Sequence, residues 1–122
     1  MPSNQRPAVT IQKRGALALN PAAFEFLGLP KAVELFYDRQ KRLIGIKKAS
    51  LNNPDAYPVR NVGKSGASKA ISAKAFLSYY NIPRDVARRW TVTKQREMLV
   101  LDLKAEGTVV SANDSRVHEG GG

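Results

Sequence analysis

Hydrophobic positions between residues 15 and 48 predict a strand, a short helix and a β-hairpin, in that order. Leu17 and Leu19 alternate with alanine, which is typical of a half-buried strand. The segment PAAFEFLG predicts a helix of barely two turns, because Asn20 can cap its start and the glycine can end it in the left-handed conformation. Alternate residues of VELFY are hydrophobic, and the polar turn DRQK separates this segment from LIGI. This last pattern predicts a hairpin.

The same order of elements returns about fifty residues later, between residues 68 and 103. Ser72 takes the place of Asn20 as the capping residue of a second short helix. Asn81 takes the place of Gly28 as the residue that ends the helix in the left-handed conformation. Each copy is preceded by a predicted hairpin with a basic tip. The alternative is that two unrelated segments look alike by chance.

These patterns divide the chain into five segments. They are a flexible arm (1–7), a first repeat unit (8–48), a linker (49–56), a second repeat unit (57–104) and a disordered tail (105–122). We therefore predict a mostly β protein with two short helices, in which two tandem strand–helix–hairpin units form one pseudo-two-fold β-barrel. The predicted core consists of Leu17, Leu19, Phe24, Leu27, Val33, Leu35, Ile46, Ile71, Phe76, Trp90, Val92, Leu99 and Leu101.

The chain is strongly basic, with 20 Lys and Arg residues against 10 Asp and Glu and a formal net charge of +10. The two copies carry this charge equally, because residues 8–52 and residues 68–104 each contain 8 basic and 3 acidic residues. An excess of this size favours an acidic partner, most often nucleic acid, and a paired basic surface suits duplex DNA. A basic surface that binds nothing is the alternative interpretation.

The sequence also excludes several kinds of chemistry. Without cysteine there is no disulfide or thiolate chemistry, and His118 as the only histidine excludes a histidine-based triad or a multi-histidine metal site. No two carboxylates have a spacing that suggests shared acid–base work. We therefore expect no enzyme activity, no cofactor and no small-molecule substrate.

No segment has the apolar length of a signal peptide or a membrane span. These features predict a cytoplasmic protein without a membrane partner, associated with the nucleoid if it binds DNA. Whether two chains pair into a homo-oligomer stays open.

The order of strand, glycine turn, strand, Asn-Pro helix start, Leu-Gly-Leu stop and Val-Glu-Leu hairpin resembles the AbrB/SpoVT-type swapped-hairpin DNA-binding domain. The first copy carries the resemblance in VTIQKRGALALNPAAFEFLGLPKAVELFYDRQKRLIGIKK, and the second carries it more loosely in PVRNVGKSGASKAISAKAFLSYYNIPRDVARRWTVTKQREMLVLDL. Two units in one chain resemble the MraZ-like arrangement, which implies interlocked hairpins in one small barrel. The resemblance implies a small transcriptional regulator or chromosome-organising protein that binds duplex DNA.

The resemblance places the DNA contacts at the basic tips of the leading hairpins and near the second helix. The six candidate residues are Lys13, Arg14, Arg60, Lys64, Lys69 and Lys74. The family also has arginine directly after the turn glycine and again in the helix, whereas this chain has Ala16 and Phe24–Glu25 there. The same six charges could instead form a solvated rim.

Two other functions stay open from the residues. One is a protein–protein interaction module of an antitoxin-like or phage-type kind, in which the charge is incidental. The other is a binder of single strands or RNA, in which Trp90, Tyr79 and Tyr80 would stack on unpaired bases and neighbouring arginines would contact phosphate. These aromatic side chains would alternatively belong to the core.

Overall fold

The computed structural model describes residues 6–62 and 68–110 of the 122-residue chain. Within these ranges the chain forms ten strands and two short helices, which confirms the predicted mostly β class. The strands are β1 (Ala8–Ile11), β2 (Ala16–Leu19), β3 (Ala32–Asp38), β4 (Leu43–Ala49), β5 (Tyr57–Val62), β6 (Ser68–Ser72), β7 (Ala87–Thr91), β8 (Thr93–Gln95), β9 (Met98–Asp102) and β10 (Thr108–Val110). The helices are α1 (Pro21–Phe26) and α2 (Lys74–Tyr79).

The strands follow the order β10-β7-β1-β2-β6-β5-β3-β4-β9-β8 in one antiparallel sheet. The series β1, β2, α1, β3, β4 is matched later by β5, β6, α2, β7–β8, β9. Corresponding strands of the two series pair with each other, β2 with β6 and β4 with β9. The first strand of each series pairs with the hairpin of the other, β1 with β7 and β5 with β3. The two units are therefore interleaved and share one core.

The sheet is not closed into the barrel that the sequence predicted, since its strand order ends at β10 and β8. The chain passes from β7 to β8 through Val92, so this segment pairs with β1 before Val92 and with β9 after it. The second edge of β7 is occupied by β10, in the register Val109↔Arg88. That edge is consequently not available to β9, which closure would require.

Inward-facing side chains from both ends of the strand order fill the core. Val9, Leu17 and Ile71 on β1, β2 and β6 are fully buried. Ile46 and Leu99 on β4 and β9 are fully buried as well. Eleven of the thirteen predicted core residues are buried, and the other two, Phe24 and Leu35, are partly buried and pack against the core. The predicted core is confirmed, because most of its members lie on the inward-facing positions of the strands and Leu27 and Phe76 come from the helical segments that pack on them.

The two helices begin differently although they end alike. The Asn20 side chain caps α1, accepting a hydrogen bond from the Ala23 backbone N–H at 2.9 Å. The N-cap of α2 is Ala73 and no side chain caps this helix, so the predicted capping role of Ser72 is wrong. Ser72 still belongs to β6, where it pairs with Ala16, and the chain is therefore extended at this position.

The helix stops are as predicted, with φ of 87° at Gly28 and 55° at Asn81.

The predicted disordered tail is wrong for its first residues. The Ala105 carbonyl accepts a hydrogen bond from Trp90 Nε1 at 3.0 Å, and Thr108–Val110 forms β10. Two adjacent valines were too few to outweigh the polar composition of this segment in the sequence. The rest of the tail, residues 111–122, lies outside the described residues.

The predicted flexible arm is held at its end. The Arg6 carbonyl accepts a hydrogen bond from the Asn20 amide at 2.8 Å, and the Pro7 carbonyl accepts one from the Val92 backbone N–H at 3.0 Å. Pro7 is buried. Residues 1–5 of the arm lie outside the described residues.

Candidate nucleic-acid interface

The turn between β1 and β2 lies directly against the start of α2. The backbone N–H of Gly15 donates to the Gln12 carbonyl at 2.9 Å, and Gly15 adopts a φ of 100°, a conformation that glycine tolerates best. A Cβ built on Gly15 would lie 2.6 Å from Lys74 Cβ, so only glycine permits this approach. The basic tip of the first hairpin is thereby held next to Lys74.

Two arginines organise this turn. Arg14 Nε donates to Gln12 Oε1 at 3.1 Å, which orients the Arg14 guanidinium. Arg84 Nη1 donates to the Lys13 carbonyl at 2.5 Å, from a position 71 residues further along the chain. Arg84 therefore connects the turn to the segment that follows α2. Its guanidinium group contributes to the fold through this hydrogen bond.

Three of the six predicted site residues line one cleft. Arg14, Arg60 and Lys74 come from the β1–β2 turn, from β5 and from α2, and they surround a cleft of about 270 Å³. Lys13 is the exposed neighbour of Arg14 in the turn. We call Lys13, Arg14, Arg60 and Lys74 the basic cluster.

The two other predicted site residues are not brought into this cluster. Lys69 pairs with Leu19 across the sheet, donates a hydrogen bond to Asn61 Oδ1, and has its Nζ 5.2 Å from the centroid of the Phe24 ring. Arg60 pairs instead with Ala70, the next residue of β6, so Arg60 and Lys69 lie on opposite faces of the sheet. Lys64 lies outside the described residues.

A row of small residues extends from the basic cluster across the outer face. Arg60 on β5 pairs with Ala70 on β6, and Ala70 pairs with Ala18 on β2. Ala18 pairs with Thr10 on β1, which pairs with Arg89 on β7. Four steps between neighbouring strands make a path of about 19 Å along the sheet from Arg60 to Arg89, which is an upper limit for their backbone separation because the sheet curves around its core. Ala18 and Thr10 are partly exposed, whereas Ala70 is fully buried, so a partner can contact this row at Ala18 and Thr10 but not at Ala70.

Arg89 and Arg84 were not among the six candidate site residues. The position of Arg89 depends on the pairing of β1 with β7, which joins residues about eighty positions apart, and Arg84 reaches the Lys13 carbonyl across 71 residues. Neither the spacing of charges nor the hydrophobic pattern contains a signal for that register.

Charge is distributed unevenly between the two parts of the sheet. The strands β10, β7, β1, β2, β6 and β5 contain no Asp or Glu but carry Arg60, Lys69, Arg88 and Arg89. The strands β3 and β9 carry the acidic residues Glu34, Asp38 and Asp102, and the neighbouring strands β4 and β8 carry Lys47, Lys48 and Lys94. Among the described residues the one ion pair joins Lys104 to Asp102 at 3.4 Å, so no carboxylate neutralises the basic cluster at contact distance.

Trp90 belongs to the core and not to a binding surface. Its side chain is 7% exposed, and the ring lies under the backbone of Gly107, where an added Cβ would be 2.6 Å from Trp90 Cε2. The hypothesis that Trp90 stacks on unpaired bases is therefore wrong.

Other features of the described ranges do not indicate a further chemistry. Residues 6–62 and 68–110 contain no group of three or more His, Asp or Glu side chains that could hold a metal ion. Neither of the two helices in that part of the chain is long and apolar enough to cross a membrane. No family model, no curated protein and no solved structure matches the chain.

Proposed function

We propose that the protein binds duplex DNA through the basic cluster, as a small transcriptional regulator or chromosome-organising protein of the nucleoid. The observation that carries the proposal is the convergence of Arg14, Arg60 and Lys74 from three separate segments on one cleft. Their charges have no carboxylate partner among the described residues. Clustered, exposed cations of this kind neutralise phosphates and release the counterions condensed on DNA, which is the main favourable term in non-specific binding.

The spacing of Arg60 and Arg89 on the same face of the sheet supports a duplex rather than a smaller anion. A separation of up to about 19 Å is of the same order as the width of the major groove, about 12 Å, so the long side chains of the two arginines can reach phosphates on both sides of a groove. Phosphate contacts of this kind fix orientation without reading sequence. We therefore expect the basic cluster to supply affinity, with little discrimination between sequences.

The interleaved pairing of the two units is also what the AbrB/SpoVT-type resemblance implies, and this supports the proposal by analogy. The chain differs from that family in having Ala16 after the turn glycine. The charge next to this position comes instead from Arg60 and Lys74, which line the same cleft as Ala16.

The proposal is tested by measuring the affinity for a 25-base-pair duplex, by fluorescence anisotropy, across a series of salt concentrations. We expect the change of Lys13, Arg14, Arg60 and Lys74 to Ala to weaken binding. The slope of log K against log salt should fall in magnitude by up to about 3.6, because each lost phosphate contact removes about 0.9. Folding should be retained, since substitutions of exposed charges usually change stability by less than about 0.5 kcal/mol.

A matched control removes the same charge elsewhere. Lys31, Lys41, Lys47 and Lys48 are exposed and lie outside the basic cluster. Changing these four to Ala should leave most of the affinity in place. Equal losses in the two variants would mean that bulk charge drives binding, and no shift at micromolar protein in low salt would remove DNA binding altogether.

A further inference from the structure

We propose that a second cleft, at the end of α2, binds an unpaired nucleotide of a single-stranded nucleic acid. This cleft has a volume of about 310 Å³ and is lined by Tyr37, Arg39, Arg42, Tyr79, Tyr80 and Asn81. We call it the tyrosine–arginine cleft. Lys74 of the basic cluster begins α2 and Tyr79 ends it. The inference goes beyond duplex binding, because the two sites share no residue and each can exist without the other.

Tyr79 supplies an exposed aromatic ring that is held in place. Its side chain is 71% exposed, and its ring meets Tyr80 edge to face, with 4.8 Å between centroids and an interplanar angle of 88°. Tyr80 in turn contacts the buried Phe76 ring at 5.2 Å and the Tyr37 ring at 4.8 Å. A ring with a single perpendicular aromatic neighbour keeps at least one face open. That face can accept a planar base by stacking.

Two arginines place positive charge beside these rings. Arg39 has its guanidinium carbon 5.3 Å from the centroid of the Tyr80 ring, and Arg42 lies in the β3–β4 turn with a φ of 56°. Neither forms an ion pair within the described residues, where Lys104 and Asp102 form the one such contact. The Asp38 carboxylate beside the turn accepts a hydrogen bond from the Lys41 backbone N–H at 3.0 Å. Two arginine side chains thus remain to bind an anion such as a phosphate.

The tyrosine rings and the two arginines together indicate which class of ligand the cleft binds. The arginines repel a cation, which is otherwise a common occupant of a cluster of aromatic rings. An acidic peptide would satisfy the arginines but offers no flat ring to Tyr79, whereas a nucleotide has both a base and a phosphate. The volume is at the lower end of ligand sites, about 300–1,000 Å³, and suits one nucleotide. The exposed Asn81 amide can hydrogen-bond a base edge.

The test compares two fluorescein-labelled strands of ten nucleotides, one of deoxyadenosine and one abasic, by fluorescence anisotropy. Both carry the same phosphates, so the difference in affinity isolates the bases. We expect the deoxyadenosine strand to bind more tightly, and Tyr79→Leu to weaken it about tenfold while leaving the abasic strand unchanged. Because Tyr79 is exposed, the variant should keep its circular dichroism spectrum and its affinity for a blunt duplex.

The arginine contribution has a matched control in the other hairpin turn. Arg42 and Arg96 have φ of 56° and 57°, and asparagine tolerates this conformation. Arg42→Asn should weaken both strands several-fold, and Arg96→Asn should weaken them less. Equal affinities of the unaltered protein for the two strands, an unchanged preference in Tyr79→Leu, or equal effects of the two arginine changes would each overturn the proposal. Tighter binding of a labelled glutamate decapeptide would assign the cleft to an acidic protein instead.

Discussion

Replacing Asn20 by Ala tests how one side chain joins three parts of the fold. Its Oδ1 accepts hydrogen bonds from the Ala23 N–H at 2.9 Å and the Ala8 N–H at 3.0 Å, and its Nδ2 donates to the Arg6 carbonyl at 2.8 Å. The side chain therefore caps α1, satisfies the first residue of β1 and holds the preceding segment. Alanine removes all three hydrogen bonds at once.

The magnitude follows from how accessible each freed group is to water. Loss of the N-cap costs about 1 kcal/mol, within a range of about 0.5–2. The half-buried Ala8 N–H loses a partner that water only partly replaces, which costs about 1 kcal/mol more. The exposed Arg6 carbonyl regains water at little cost. We therefore expect Asn20→Ala to lower the free energy of unfolding by about 2 kcal/mol, within a range of about 1.5–3.

Equilibrium urea unfolding, followed by circular dichroism, measures this difference, and two variants serve as controls. Asn20→Asp keeps the acceptor for both backbone N–H groups and should lose less than about 1 kcal/mol. Ser72→Ala alters the sequence counterpart of Asn20, which caps nothing, and should change stability by less than about 0.5 kcal/mol. If Asn20→Ala cost no more than Ser72→Ala, the three hydrogen bonds would not contribute to stability and the reasoning would be refuted.

Two further predictions concern the segment after β9. Truncation after Lys104 removes β10 and the acceptor of the Trp90 N–H, so we expect it to lower the urea midpoint clearly, whereas truncation after Val110 should not. Equal midpoints would mean that β10 contributes nothing. Gly107→Ala should cost about 1–3 kcal/mol and change the tryptophan fluorescence, because its Cβ would meet the rigid Trp90 ring at 2.6 Å. Gly45→Ala should cost much less, since the one atom that its Cβ would approach too closely is the flexible Met98 Sδ, at 2.5 Å; equal costs would refute this distinction.

Features that depend on a few neighbouring residues could be predicted from the sequence. The hydrophobic pattern identified the mostly β class and the core, because the side-chain period of a strand largely decides which of its residues face inward. The left-handed stops at Gly28 and Asn81, and the cap at Asn20, follow from the conformations that these residue types tolerate. The repeated order of elements was visible for the same reason.

Features that depend on pairing between distant strands were decided by the tertiary structure. Ser72 resembles a capping residue in sequence, but its pairing with Ala16 keeps it in a strand. Residues 108–110 form a strand because the free edge of β7 offers them backbone partners, which no local pattern reveals. The candidate site has the same origin. The type and number of basic residues were evident, but register alone brings Arg60 to the cleft of Arg14 and turns Lys69 to the other face. A shift of one residue in a strand reverses every side chain, so only the folded chain could determine which charges meet.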